Sequence, residues 1–82
     1  MNDNEVREAI AQVLHEVAPE IHLVGVAGDA DLREELGLDS MDILNFAIGL
    51  QERTGVDVPE RDYPQIVTLD GCARYVLAHL PA

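Results

Sequence analysis

The residues best placed for chemistry lie in the stretch Gly37-Leu38-Asp39-Ser40-Met41-Asp42. Asp39 is a good helix N-cap, Asp42 stands three residues later as the acidic member of a capping box, and an apolar run follows as far as Thr54. Ser40 therefore falls in the first turn of a predicted helix. Its hydroxyl is accessible there, beside backbone N–H groups that lack intrahelical partners and at the positive end of the macrodipole, a favourable position for a phosphate. The same two residues would equally serve a plain helix cap.

Other candidate sites fail on spacing. Ser40 lies outside any Gly-x-Ser-x-Gly elbow and no strand precedes it, which argues against a serine hydrolase. Cys72 and His79 share one side of a predicted helix, but seven residues separate them by about 10 Å, too far for a nucleophile and its base. Cys72 reads instead as a small core residue. Asp29 and Asp31 begin like a calcium loop, yet Arg33 and Glu34 occupy the next ligand and glycine positions. His15, His22 and His79 have no metal-ligand spacing and read as surface residues.

The elements that must position Ser40 are helical. Asn2 and Asp3 can cap a first helix of about residues 4–17, with Val6, Ile10, Val13, Leu14 and Val17 on one face. Pro19 stops it and opens a long loop, 18–31, whose Ile21, Leu23, Val24 and Val26 are apolar enough to pack. Leu32 to Leu36 forms one helical turn closed by Gly37, with Leu32, Leu36 and Leu38 as anchors. In the central helix, Ile43, Leu44, Phe46, Ala47, Ile48, Leu50 and Thr54 fill more than half the circumference, so that it must touch several neighbours. Gly55 ends it. After the extended link Val56-Asp57-Val58, Pro59 to Tyr63 fits one turn closed by Pro64. Thr68 then caps a last helix, 69–79, with Leu69, Cys72, Ala73, Val76, Leu77 and Leu80 on its apolar face. The expected fold is all-α: a small antiparallel bundle of three main helices plus one or two short helical turns, with a long first loop.

Composition narrows the partners. At 82 residues the chain has room for one small domain, expected over 1–82 with its core at about 4–80. Five arginines face sixteen acids, a net charge of −11, which argues against nucleic acid and anionic membranes and for basic protein surfaces. A hydrophobic fraction of 48% is too high for a disordered acidic tail. With a single cysteine, no opening signal peptide and no membrane-length run, the expectation is a cytoplasmic monomer without membrane insertion.

Taken together, Asp39-Ser40-Met41, the preceding Leu36-Gly37-Leu38, and Gly55, Pro59 and Thr68 give nearly the whole chain a resemblance to the acyl carrier protein family. The resemblance implies a four-helix fold in which Ser40 carries a covalent 4′-phosphopantetheine, transferred from coenzyme A by a magnesium-dependent phosphopantetheinyl transferase. It implies that the terminal thiol holds acyl or aminoacyl groups as thioesters for ligase, synthase or transferase enzymes. The carrier itself would catalyse nothing.

Two further readings of the residues agree with this. Between positions 29 and 42, six acids (Asp29, Asp31, Glu34, Glu35, Asp39, Asp42) stand against Arg33, so the potential around Ser40 is negative and can steer basic partners, unless it is merely a solvated face. Met41 and Ile48 lie at the boundary of the apolar arc, where the family presents docking contacts and where Ile48 could also pack into the core. The candidate docking residues are thus Met41, Asp42, Ile48, Glu34 and Glu35. Departures bear on pathway: Met41 replaces the usual leucine, Thr54 the usual aromatic, and beyond Asp42 the central helix has only Glu52 as an acid. These weaken a general role in fatty acid synthesis relative to polyketide, nonribosomal peptide or other specialised acyl metabolism. The rival class is a small acidic interaction module with no cofactor.

Charge yields a prediction. Raising ionic strength from about 0.01 M to 0.15 M shortens the Debye length from roughly 30 Å to 8 Å. Thermal melts across that range are expected to show a rising Tm as self-repulsion is screened, while transferase kcat/KM falls. A flat kcat/KM alongside rising stability would make the acids near Ser40 a solvated face.

Overall fold

The computed structural model describes residues 1–81; Ala82, the last position of the expected domain, lies outside the described residues. Four α-helices and one 3₁₀ helix follow in order: α1 (Asp3–Val17), α2 (Leu32–Leu36), α3 (Ser40–Thr54), the 3₁₀ helix (Glu60–Gln65) and α4 (Leu69–His79). Each α-helix starts on a side chain that the sequence supplies for the purpose. Asn2 and Glu5 form a reciprocal capping box on α1, placing Asp3 inside the first turn rather than at the cap. Asp31 accepts from Arg33 N at α2, and Thr68 accepts from Gly71 N at α4.

Helix α1 packs against both α3 and α4. Their shared core holds Val6, Ile10, Val13 and Leu14 of α1, Phe46 and Leu50 of α3, and Cys72 and Val76 of α4, with Leu32 and Ile66 inserted from the connections. The approach of α1 to α3 is close at Gly49, where an added Cβ would stand 2.5 Å from Val13 Cγ1. The second demanding glycine is Gly37, whose φ of 67° turns the chain from α2 towards α3 in a conformation that a side chain would strain.

Several expectations are corrected. Ile21, Leu23 and Val26 do pack partly against the core, but Val24 is 98% exposed, because a tight turn closed by Val26 N–H donating to Leu23 O (3.1 Å) puts it at the tip. Pro64 lies within the 3₁₀ helix and does not end it, since its fixed φ suits that backbone and only one N–H is lost. On α4, Leu77 is exposed and Tyr75 buried, the reverse of the apolar pattern. Tyr75 is admitted to the core because its hydroxyl donates to Asp62 Oδ2 at 2.7 Å. Thr54, where an aromatic was the family expectation, is buried with both hydrogen-bonding roles used, donating to Leu50 O (2.6 Å) and accepting from Val56 N (3.2 Å).

Bases stitch the elements together. Arg7 pairs with Asp3 and reaches Asp70 on α4, both at 3.0 Å, and its pKa is raised, first by the Asp70 hydrogen bond. Arg53 of α3 donates to Gln12 Oε1 (2.8 Å) and pairs with Glu16 on α1. Backbone bonds from Leu32 N to Val67 O (2.7 Å) and from Asp70 N to Gly28 O (3.0 Å) fasten the first loop and α2 to the start of α4.

Cys72 sits within this core, and burial pushes its thiol up to about 12. Because the folded pKa lies above the unfolded one, this contribution to stability is complete below about pH 8.5 and is lost as pH rises towards about 12. Urea titrations between pH 8 and 11 are expected to show falling stability, with a smaller fall in Cys72→Val. In native buffer a thiol reagent should label Cys72 only as the chain unfolds; fast labelling of the folded protein would place the thiol at the surface.

Candidate functional site

Helix α3 starts where its cap dictates. Asp42 N donates to Asp39 Oδ1 at 2.8 Å, and Asp39 N donates to Asp42 Oδ2 at 3.1 Å. This reciprocal pair makes Ser40 the first residue of the helix, exposed to solvent, and among the described residues its hydroxyl makes no hydrogen bond. The amides of Ser40 and Met41 precede the first intrahelical bond, so they too point outward without helical partners.

Ser40 stands at a half-open cleft of about 460 Å³ between α3 and the 3₁₀ helix. Leu38, Ile43, Leu44, Pro64 and Val67 supply apolar lining, while Arg33, Glu60 and Tyr63 add polar groups. Arg33 is occupied by Asp31, with Nη2 to Oδ2 at 2.7 Å; that bond holds the Asp31 carboxyl below its ordinary range and raises the pKa of Arg33.

The docking candidates separate into two groups. Met41 and Ile48 are 60% and 45% exposed, and Leu44 between them is 38% exposed. At spacings of three and four residues they form one apolar stripe on α3 leading away from Ser40. Ile48 thus lies outside the core, and Leu44, read from the sequence as a core residue, joins it on the surface. Of the acids, Glu34 and Glu35 are exposed on α2, whereas the Asp42 carboxylate is engaged in the cap. Glu35 and Asp42 line a neighbouring cleft formed with residues 18–22 of the first loop, separate from the one beside Ser40. The acidic and apolar features therefore flank Ser40 on different sides.

Sequence reasoning missed Leu44, Glu60, Tyr63 and Pro64 as neighbours of the serine. For Leu44 a signal existed in its i+3 spacing from Met41. The other three sit at least twenty residues away in the chain and are brought in only by the path of the link after α3.

The model of the family described as "Phosphopantetheine attachment site" matches residues 4–76, and the chain belongs to that family. Among its relatives is the acyl carrier protein of Rubrobacter xylanophilus, 29% identical over 79 residues that cover 93% of this chain and 98% of that protein. The acyl carrier protein of Campylobacter hominis is 28% identical over 72 residues, covering 88% and 85% of the two chains. A mitochondrial acyl carrier protein of Neurospora crassa is 28% identical over 78 residues, or 95% of this chain and 58% of its own length. The cofactor implied by membership is covalently attached 4′-phosphopantetheine. Proteins of this family are generally non-catalytic carriers that meet a phosphopantetheinyl transferase and acyl-handling enzymes. Among the described residues no helix is long and apolar enough to cross a membrane.

The exposed stripe carries its own prediction. Met41→Ala and Leu44→Ala are each expected to lower stability in urea by about 1 kcal/mol or less, against about 3–5 kcal/mol for Phe46→Ala in the core. A loss at Met41 or Leu44 as large as at Phe46 would return that residue to the core.

Proposed function

We propose that this chain is an acyl carrier in which Ser40 is the attachment residue for 4′-phosphopantetheine. The observation that carries the reading is the uncommitted Ser40 hydroxyl, exposed at the first turn of α3 beside the cleft and inside the matched segment. The local chemistry fits the group. Ser40 Oγ is free to become the ester oxygen of a phosphodiester, and the unpaired first-turn amides with the positive helix end favour its charge. In the transfer Ser40 Oγ bonds to the phosphorus that carries the pantetheine arm of coenzyme A, adenosine 3′,5′-bisphosphate leaves, and the hydroxyl proton passes to a base of the transferase.

When attached, the arm supplies a thiol that holds acyl or aminoacyl groups as thioesters. The apolar lining of the cleft offers the cargo shelter from water. Met41, Leu44 and Ile48 give partner enzymes an apolar contact, and Glu34, Glu35 and Asp42, with Asp39 capping the helix between, attract their basic surfaces. In this reading the chain is one domain, catalyses nothing itself, and works as a monomer in the cytoplasm. It delivers acyl groups in fatty acid, polyketide or other specialised acyl metabolism. The sparse acids beyond Asp42 on α3 favour a dedicated carrier over a general one.

Intact mass after incubation with coenzyme A, magnesium and a broad-range phosphopantetheinyl transferase tests the reading. The wild type is expected to gain one phosphopantetheinyl group, and Ser40→Ala none, with a Tm close to wild type because Asp39 keeps the cap. A folded wild type of unchanged mass would leave an acidic interaction module without a cofactor. Modification of Ser40→Ala would move the site elsewhere.

A further inference from the structure

The 3₁₀ helix contributes Glu60, Tyr63 and Pro64 to the wall of the cleft opposite Ser40, Met41 and Leu44, yet none of its own residues is buried. It is flanked by the buried Val58 and Ile66, so its ends are anchored, while of its middle only Tyr63 packs partly against the core. A segment with so little apolar burial opens at low cost.

Among the described residues one side-chain hydrogen bond ties that middle to α4. The Tyr75 hydroxyl, from α4, donates to Asp62 Oδ2 at 2.7 Å. The donor is held in place from both sides. The Tyr75 ring is buried, His79 stacks on it with centroids 4.1 Å apart at 18°, and His79 Nδ1 lies 2.8 Å from the carbonyl oxygen of Tyr75, one turn earlier. Swinging the Tyr75 ring so as to carry its hydroxyl away from Asp62 would therefore disturb packing already made on α4. A rigid donor and a charged acceptor on a lightly packed segment together make a fastening. The raised pKa of Tyr75, caused first by the Asp62 hydrogen bond, agrees with this coupling.

We propose that the Tyr75–Asp62 hydrogen bond is a latch that holds the 3₁₀ helix against α4 and sets how readily the cleft beside Ser40 widens to admit a carried acyl chain. The role in admitting cargo rests on the carrier reading; the fastening itself does not. Tyr75 acts here as a positioning residue, since it does not line the cleft. A closed wall lowers the apparent affinity of the cleft for cargo by the fraction of molecules that are open, so a looser latch means more sheltered cargo.

Hydrogen exchange on the unmodified protein tests the fastening. The amides of Asp62 and Ile66 donate to Pro59 O (2.8 Å) and Tyr63 O (3.1 Å) and report on this segment. Tyr75→Phe is expected to speed their exchange roughly tenfold, the scale of one hydrogen bond to a charged acceptor, with little change in the centres of α1 and α3. Asp62→Asn retains a neutral acceptor and is expected to fall between wild type and Tyr75→Phe. Equal exchange in wild type and Tyr75→Phe, or a uniform rise through α1 and α3, would overturn the latch.

The consequence for cargo is read on protein loaded from octanoyl-coenzyme A by the same transferase. Cleavage of the thioester by hydroxylamine is expected to slow severalfold in Tyr75→Phe relative to wild type and to a smaller extent in Asp62→Asn. Equal or faster cleavage in Tyr75→Phe would overturn the gating role. Intact mass separates the two ideas: if wild type takes no arm, the carrier reading and the gating of cargo fail together, while the exchange experiment still decides the fastening.

Discussion

Helix α3 has to be covered along most of its length and bare at its beginning, and 82 residues leave few ways to do both. Covering it takes α1, brought close enough at Gly49 to touch Val13, together with residues inserted from the connections. Phe46 and Leu50 are completely buried as a result. Baring its start takes a cap made from the helix's own ends. Asp39 and Asp42 satisfy each other's backbone amides, so no neighbouring element is needed over the first turn. Had that turn been capped by a distant side chain, the capping element would have covered Ser40.

The same division appears in the charges. Of the five arginines, Arg7 and Arg53 bridge between helices and Arg33 is held by the neighbouring Asp31. Each exposed pair contributes little stability, on the order of 0–1 kcal/mol. Among the described residues the exposed Glu34 and Glu35 of α2 form no such pair, so their charge stays unneutralised at the surface.

Firm and light packing meet at the cleft. One wall belongs to α3, rooted in the core through Ile43 and Phe46; the other belongs to a 3₁₀ helix without a buried residue. The lighter wall touches the apolar cluster only through the half-buried Tyr63, so it has fewer core contacts to lose than the α3 wall.

Much of this was legible in the sequence, for a local reason. Asn2 with Glu5, Asp31, Asp39 with Asp42, and Thr68 act within one turn of themselves, so the starts of all four α-helices, and with them the placement of Ser40, could be read without knowing the fold. The serine motif and its spacing to Gly55, Pro59 and Thr68 were likewise properties of the chain alone. Only the tertiary structure decided which part of each apolar arc met a partner. Periodicity assigned Leu44 and Leu77 to the core, yet neither is covered, because an arc wider than its neighbours leaves its edges in water. It passed over Tyr75, whose burial depends on an acceptor thirteen residues earlier in another element. The cleft beside Ser40 is of the same kind: its far wall comes from Glu60, Tyr63 and Pro64, and contact between residues so distant in sequence follows from how the chain packs, which no local pattern records.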